Sequence, residues 1–407
     1  MKKPVLVKSK AITIFLVFAL GYFISNLLRA ITATIAPELI SEFNLTSGEL
    51  GLLGGAYFLG FASVQIPLGY LLDSKGPKKI VSYFLLISIV GTILFSISEN
   101  LSTLLVSRVL IGIGVGACLM GPLTAYRIWF QDETQQRVNS WMLMVGAIGM
   151  LSSSLPVQFF LPLIGWRTIF LMLAFLTFLC VILIFIFIPK WHEKSIDNKE
   201  LNVNRLSAIW TNPFFLSLVP MGFFTYGSLF AIQTLWAGPW LITVAGYTPE
   251  ESAPGLFFIY LSMLLSFLCW GYLVPRFSKN INDAIRLLKF GAPISLIVLA
   301  LIIYLGPKAG SIHWVIFIVS SVFLSLTQPA VGMAFSLSNA GKALTSFNLL
   351  LFIGAFFMQW IIGLIIDLGL SINLSEINSF KLAMFFVFIT SLFSYEIYRR
   401  SFVSKNR

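Results

Sequence analysis

Charged residues are scarce in this chain of 407 residues: they make up 11% of it, whereas apolar residues make up 58%. A water-soluble domain of that composition would expose large apolar patches, but a lipid bilayer accepts such a surface. The mean hydropathy of +0.91 points the same way. The composition therefore predicts an integral membrane protein and excludes a soluble globular domain.

Cysteine and histidine are also rare, with three and two copies. Cys118, Cys180 and Cys269 lie in apolar runs without metal-site or disulfide spacing, so we expect buried thiols. The sequence shows no nucleophile beside a base, no cluster of metal ligands and no cofactor motif. It therefore predicts no enzyme, no metal site and no cofactor.

None of the sixteen acidic residues falls in the middle of a long apolar run. Glu49 and Asp367, for example, are predicted at the outer ends of helices. A proton relay through a buried carboxylate or histidine is therefore not visible. A coupling ion, a proton or another, would have to act through the substrate's own ionisation or through a boundary acid such as Glu49.

Apolar runs near the ~20 residues that a helix needs to cross a bilayer are abundant. Twelve are predicted, at 11–33, 49–72, 80–98, 101–124, 139–162, 168–189, 213–237, 252–274, 285–305, 312–336, 342–367 and 379–398. The polar stretch 190–212 divides them six and six, which predicts a cytoplasmic linker between an N-terminal bundle, 1–189, and a C-terminal bundle, 213–407. We expect an all-α integral membrane fold of twelve transmembrane helices.

The two predicted bundles share sequence landmarks. Pro37, Thr46 and the run Gly69-Tyr70-Leu71 recur as Pro239, Thr248 and Gly271-Tyr272-Leu273, each 202 positions later. A repeat of half the chain length in an apolar sequence is typical of transporters built from two six-helix halves. The two bundles are therefore expected to be pseudo-symmetric.

Lysine and arginine predict the orientation, because cytoplasmic loops retain positive charge. With the N-terminus inside, only Arg167, Lys308 and Lys381 fall in outer loops. Both termini are therefore predicted to be cytoplasmic, in the inner (plasma) membrane of a bacterial-type cell. The basic residues form no continuous patch, so no nucleic acid is expected as a partner.

The stretch from Gly69 to Lys79 reads Gly-Tyr-Leu-Leu-Asp-Ser-Lys-Gly-Pro-Lys-Lys. It resembles the signature loop between the second and third helices of the major facilitator superfamily. By that resemblance, Gly69 lets the eleventh helix approach, Asp73 holds a cytoplasmic gate closed, and Gly76 allows a tight turn. Lys78 belongs to the same gating and structural set. Ser74 and Pro77 depart from the family pattern.

Other stretches extend the resemblance. Arg108 to Gly112 resembles the superfamily's Arg-x-x-x-Gly pattern, which implies that Arg108 orients the first helix and that Gly112 serves close helix packing. Gly165-Trp166-Arg167 is another landmark of the family. The fifth run lacks the Gly-Pro-x-x-Gly-Gly ending of the drug/proton antiporter branch, which disfavours that branch.

Arg29 is the leading candidate for substrate contact, since a charge at the bilayer centre costs ~2.5–3.5 kcal/mol or more and is tolerated mainly in a cavity or beside a partner. The alternatives are that Arg29 snorkels to the outer interface or pairs with Glu49. Polar and aromatic residues at helical spacings on other helices are predicted to complete a central pocket. They are Tyr22, Asn26, Tyr57, Gln65, Tyr226, Gln233, Trp236, Asn348 and Gln359.

These features favour a secondary active transporter, a monomer in the lipid bilayer, that moves a small organic solute by alternating access. One intramembrane arginine and no embedded acid indicate an anionic or zwitterionic metabolite. The aromatic content also allows an alternative, an exporter of a hydrophobic or siderophore-like compound. A receptor or a membrane enzyme is disfavoured.

Overall fold

The computed structural model describes residues 8–130, 132–189, 209–277 and 281–403. All regular secondary structure in these ranges is helical. Most of the predicted linker 190–212 lies outside the described residues, as do Lys2, Lys3, Lys405 and Arg407 at the chain ends. An all-α fold therefore follows from the long apolar runs, since in lipid a helix satisfies its backbone hydrogen bonds internally.

The helices before the linker are α1 Lys8–Phe43, α2 Ser47–Ser63, α3 Gln65–Ser96, α4 Leu101–Val115, α5 Ala117–Trp129, α6 Asp132–Ser152 and α7 Leu155–Phe187. Those after it are α8 Pro213–Pro220, α9 Gly227–Ala231, α10 Ala237–Pro239, α11 Pro249–Phe277, α12 Ile281–Leu305, α13 Ser311–Ser320, α14 Thr327–Ala334, α15 Leu337–Ser371 and α16 Glu376–Val403. π-Helical turns Met221–Tyr226, Ile232–Trp236 and Trp240–Val244 join α8 to α10 and extend it. Short 3₁₀ turns, Gly306–Lys308 and Ser321–Leu326, follow α12 and α13.

Ten spans in the described ranges are long and apolar enough to cross a membrane, by length and composition. The runs predicted at 49–72 and 139–162 are not among them. The second helix is interrupted at Val64, which leaves 17 residues in α2, and α6 begins with a polar stretch from Asp132. The prediction of a multi-pass helical protein is confirmed, and the count of twelve stays a prediction.

Two glycines turn the chain inside helices that are otherwise continuous. Gly76 in α3 has φ 76° and ψ 160°, and Gly165 in α7 has φ 73° and ψ 159°. This backbone region is essentially restricted to glycine. Gly76 thus separates the second predicted run from the third, and Gly165 separates the fifth from the sixth.

A basic side chain stands two positions after each of these glycines and binds the end of a partner helix. Lys78 Nζ donates to the carbonyl oxygens of Phe185 and Ile188 at 2.7 and 2.8 Å. Arg167 Nη2 donates to the carbonyl oxygen of Ser98 at 2.9 Å. Each therefore satisfies carbonyls that a helix end leaves without an intrahelical partner.

The shared landmarks Thr46 and Thr248 both begin a helix. Thr46 N donates to Glu49 Oε2 at 2.9 Å, and Glu49 N donates to Thr46 Oγ1 at 3.2 Å. Thr248 and Glu251 make the same reciprocal pair with the same distances. Both are capping boxes, which stabilise a helix start. The repeat in the sequence thus reflects a repeated structural device.

The chain forms two compact units, which are described separately. The first contains Met1–Glu38 and Ala56–Asp197, and the second contains Leu39–Gly55 and Asn198–Arg407. The segment Leu39–Gly55, within the bundle predicted at 1–189, packs in the second unit. The core of the second unit includes the buried side chains of Phe215, Leu218, Phe347, Leu351 and Tyr398.

One local expectation, for Gly69, stays untested, and another, for Cys269, is wrong. A Cβ placed on Gly69 would meet no heavy atom within 4 Å among the described residues. Gly69 lies on an exposed face of α3, and the approach of the eleventh helix to it stays a prediction. Cys118 and Cys180 are buried, but Cys269 is exposed, which suits a thiol on a helix face turned to lipid.

Candidate functional site

Arg29 lies within α1, and the residue is only 8% exposed. Its guanidinium carbon is 5.9 Å from the ring centroid of Tyr57 and 5.5 Å from that of Phe61. Aromatic faces attract cations at such distances. The rings therefore help to stabilise the charge inside an apolar helix.

Tyr57 stands between two arginines. The guanidinium carbon of Arg108 is 5.2 Å from the Tyr57 ring centroid, and the Tyr57 hydroxyl donates to the carbonyl oxygen of Ser25 at 3.2 Å. Tyr57 is fully buried and stacks on Phe61, with centroids 6.2 Å apart. The ring thus links the two cations and holds α2 against α1.

Arg108, in α4, is 1% exposed and reaches α1. Its Nη1 donates to the carbonyl oxygen of Leu28 at 2.9 Å. Close approach of α4 to α2 depends on glycine, because a Cβ on Gly112 would collide with the carbonyl oxygen of Tyr57. Arg108 therefore contacts the backbone of α1 one residue before Arg29.

Tyr22 and Asn26 are buried on α1 and face α6. Asn26 Nδ2 donates to the carbonyl oxygen of Tyr22 at 2.9 Å. A Cβ on Gly146 would lie 2.5 Å from the Tyr22 ring and 2.9 Å from Asn26 Nδ2. The glycine of α6 thus leaves room for these two side chains. Gln65 Nε2, at the start of α3, donates to the carbonyl oxygen of Phe61 in α2 at 3.2 Å.

In the second unit, Tyr226, Gln233 and Trp236 all lie in π-helical turns. Such turns are rare and often occur at functional sites. Trp236 Nε1 donates to the carbonyl oxygen of Gln359 at 3.0 Å, and Gln359 Nε2 donates to Thr234 Oγ1 at 2.8 Å. The structure therefore brings Trp236 and Gln359 together.

A second group of side chains in this unit contains amides and aromatic rings. Asn348 Oδ1 accepts from Gln328 Nε2 at 3.1 Å. One turn along α15, Phe352 stacks on Phe230 with centroids 5.7 Å apart. Phe230 in turn contacts Tyr226, at 5.3 Å. Tyr226, Phe230 and Phe352 therefore form one aromatic cluster, and Asn348 lies one turn before Phe352 on α15.

Sequence reasoning missed four residues of these groups. Phe61 stands one helical turn after Tyr57, and this i, i+4 spacing could have identified it. Thr234 neighbours Gln233, but only the π-helical turns decide which of the two meets Gln359. Gln328 and Phe230 carried no signal that distinguished them from other residues in their runs.

Two of the predicted gating residues, Asp73 and Lys78, have different surroundings. Asp73 is exposed, and the described part of the chain provides it with no hydrogen bond or ion pair; its gating role stays a prediction. Lys78 binds the carbonyl end of α7.

Glu49, considered as an alternative partner for Arg29 and as a coupling acid, closes a capping box with Thr46. Among the described residues, no group of three His, Cys, Asp or Glu side chains is placed to hold a metal ion.

Arg29 provides the chemistry of this arrangement. A guanidinium presents five N–H donors in a plane and matches a carboxylate with two parallel hydrogen bonds. Tyr57 and Phe61 supply an apolar and aromatic wall next to it. The group is suited to an organic anion with an apolar or aromatic body.

Known proteins resemble this chain. The Probable sulfoacetate transporter SauU of Cupriavidus necator is 30% identical over 39% of this chain and 37% of its own length. The Niacin transporter NiaP of Acinetobacter baylyi is 28% identical over 39% of this chain and 36% of its own length. The matches thus span just over a third of these curated relatives.

A crystal structure of the nucleoside transporter NupG shares the fold with a TM-score of 0.78, at 11% identity over 96% of this chain and 100% of that one. The sequence profile of the Major Facilitator Superfamily matches residues 18–359. That match includes the loop from Gly69, the Arg108 pattern and the start of the second half. The chain belongs to the Major Facilitator Superfamily.

Proposed function

We propose that the protein is a secondary active transporter that moves a small organic anion or zwitterion across the membrane by alternating access. The observation that carries this is the buried Arg29 in α1, flanked by Tyr57 and Phe61. A charge inside a membrane helix is expensive and is characteristically functional. A guanidinium can bind a carboxylate substrate through two parallel hydrogen bonds.

The supporting geometry comes from each unit separately. In the first unit, Arg108 and Tyr57 donate hydrogen bonds to the α1 backbone close to Arg29, and these bonds fix the position of Arg29. In the second unit, amide and aromatic side chains gather around Asn348 and Gln359. Amides and aromatic rings suit the polar and apolar parts of a small metabolite.

The relatives support the same substrate class. Sulfoacetate and niacin, the compounds in the names of two of them, are small organic acids.

For this chain we also propose twelve membrane helices, an inner-membrane location and cytoplasmic termini. The apolar runs and the distribution of lysine and arginine support this topology. A monomer remains the expected state, and the coupling ion is left open.

The test is uptake of radiolabelled sulfoacetate, nicotinate and 4-hydroxybenzoate into proteoliposomes that contain the purified protein. We expect saturable uptake of at least one anion, and its loss in Arg29→Ala. Arg400→Ala, which removes an exposed arginine that pairs with Glu396, is the matched control. Uptake of cationic drugs alone, unaffected by Arg29→Ala, would reject the anion proposal and favour the exporter alternative.

A further inference from the structure

Two glycines of α6, Gly146 and Gly149, stand one helical turn apart and pack against α1. Both are buried. A Cβ on Gly149 would collide with the backbone carbonyl oxygen of Phe23. A Cβ on Gly146 would instead meet side chains: it would lie 2.5 Å from the Tyr22 ring and 2.9 Å from Asn26 Nδ2. One glycine therefore lies against main chain, and the other lies against side chains.

This difference gives the two glycines different effects on α1. The carbonyl oxygen of Phe23 moves only with its helix, so a methyl group at position 149 would force α6 away from α1. The atoms that oppose Gly146 belong to side chains, which can rotate about their own bonds. A methyl group at position 146 would therefore displace Tyr22 and Asn26, while Gly149 keeps the two helices in contact. Gly146 thus controls the space that these two side chains occupy.

Tyr22 and Asn26 share a face of α1 with Arg29. The three residues stand at i, i+4 and i+7, a spacing that aligns side chains on one side of a helix. At ~1.5 Å per residue, Asn26 lies ~4.5 Å and Tyr22 ~10 Å from Arg29 along the helix axis. Asn26 Nδ2 donates to the carbonyl oxygen of Tyr22, which holds the amide against the helix. A molecule that binds the guanidinium and lies along this face reaches Asn26 first, and reaches Tyr22 only if it is long.

We propose that Gly146 is a positioning residue that determines how long a substrate can be. It acts through Tyr22 and Asn26: glycine leaves them room beside α6 and so keeps the face next to Arg29 open to an extended organic anion. This deepens the proposed function and rests on it, because the anion is held by Arg29. With alanine at position 146, the two side chains move over that face, since the α6 backbone closes the other direction. Overpacking is destabilising, so a long anion loses more affinity than a short one.

The test is inhibition of anion uptake into proteoliposomes by two sulfonates. Benzenesulfonate and biphenyl-4-sulfonate carry the same oxyanion group, which can accept two hydrogen bonds from a guanidinium, but they differ in length. The labelled anion is one that the wild type takes up. We expect Gly146→Ala to raise the ratio of the two inhibition constants, long over short, about tenfold, or ~1.4 kcal/mol.

Gly149→Ala is the matched control on the same helix. Its methyl group meets backbone, so we expect a lower melting temperature in detergent and an equal loss of affinity for both sulfonates. Tyr22→Leu is a second test, because it removes the ring that a Cβ on Gly146 would strike. We expect this variant to lower the ratio. In the Tyr22→Leu background, Gly146→Ala is expected to change the ratio little, since coupled residues are not additive.

An unchanged ratio in both Gly146→Ala and Tyr22→Leu, with anion uptake intact, would overturn the role of Gly146 and leave the proposed function in place. Equal weakening of both sulfonates by Gly146→Ala, with a melting temperature as low as that of Gly149→Ala, would also overturn it and would show that Gly146 only packs the helices. If Gly146→Ala is too unstable to purify, the ratio in Tyr22→Leu decides. Absence of anion uptake by the wild type would reject the proposed function and the role of Gly146 with it.

Discussion

At the scale of single residues, the burial of Arg29 is explained by its neighbours. The rings of Tyr57 and Phe61 lie near the guanidinium and lower the cost of its charge in an apolar helix. Arg108 also lies near the Tyr57 ring and donates to the backbone carbonyl oxygen of Leu28, beside Arg29. Both arginines therefore lie near the Tyr57 ring, and Arg108 also binds a carbonyl oxygen of α1.

Arg29→Lys tests whether the shape of the guanidinium matters as well as its charge. We expect lysine to restore part of the uptake that Arg29→Ala loses, since it keeps the charge but not the bidentate donor pair. The expected loss relative to wild type is about tenfold, or ~1.4 kcal/mol. Initial uptake rates at several anion concentrations measure it, and full activity in Arg29→Ala would contradict the assignment.

Gly165→Ala tests the glycine turn. The backbone of Gly165 lies in a region that costs other residues ~1–3 kcal/mol, although a Cβ would meet no atom within 4 Å. We expect the melting temperature in detergent to fall. Gly341→Ala is the matched control, because that position is also open but lies in a helix. Equal melting temperatures for the two variants would show that the turn is not strained.

At the scale of elements, the first unit shows one arrangement twice. Gly76 and Lys78 are related to Gly165 and Arg167 by the same spacing of two residues. In both cases the glycine turns the chain and the basic residue binds the carbonyl end of another helix. This relation joins the third and sixth predicted runs at both ends. Such internal repeats are typical of the halves of this family.

Lys78→Met and Arg167→Met test these end contacts. Each change keeps most of the side-chain length but removes the donor, so we expect a loss of ~1.5–3 kcal/mol in unfolding free energy. Lys308→Met removes an exposed lysine and is the control. Thermal unfolding in detergent ranks the three variants. If Lys308→Met proved as harmful as the other two, general charge loss would explain the effect.

At the scale of the whole molecule, the main departure from the predicted bundles is that Leu39–Gly55 packs in the second unit. It places a segment of the first predicted bundle on α15 and brings Asp367 to the start of α2. Gln359, predicted as a substrate residue, contributes its backbone to the same region.

Binding of a substrate should stabilise the whole protein. An anion at 100 times its dissociation constant is expected to add ~2.7 kcal/mol to the unfolding free energy. A thermal-shift screen of carboxylates, amino acids and cationic drugs measures this directly. We expect stabilisation by a carboxylate or zwitterion and none in Arg29→Ala. The same shift in that variant would place the binding site elsewhere.

The sequence by itself determined the features that depend on local chemistry and on solvent. Apolar runs predict helices in lipid, and Thr46 and Thr248 begin helices because a threonine followed three residues later by glutamate forms a capping box. Gly76 could be singled out because a tight turn favours glycine. Such properties follow from a few neighbouring residues.

Only the tertiary structure decided which distant groups meet. Tyr57 lies between Arg29 and Arg108 because glycine at position 112 lets α4 approach α2. Thr234, rather than Gln233, binds Gln359 because π-helical turns rotate the side chains away from α-helical spacing. Asp367 caps a helix 320 positions away. Helix periodicity describes one face at a time, whereas these contacts depend on how helices pair, and that is set by packing across the whole chain.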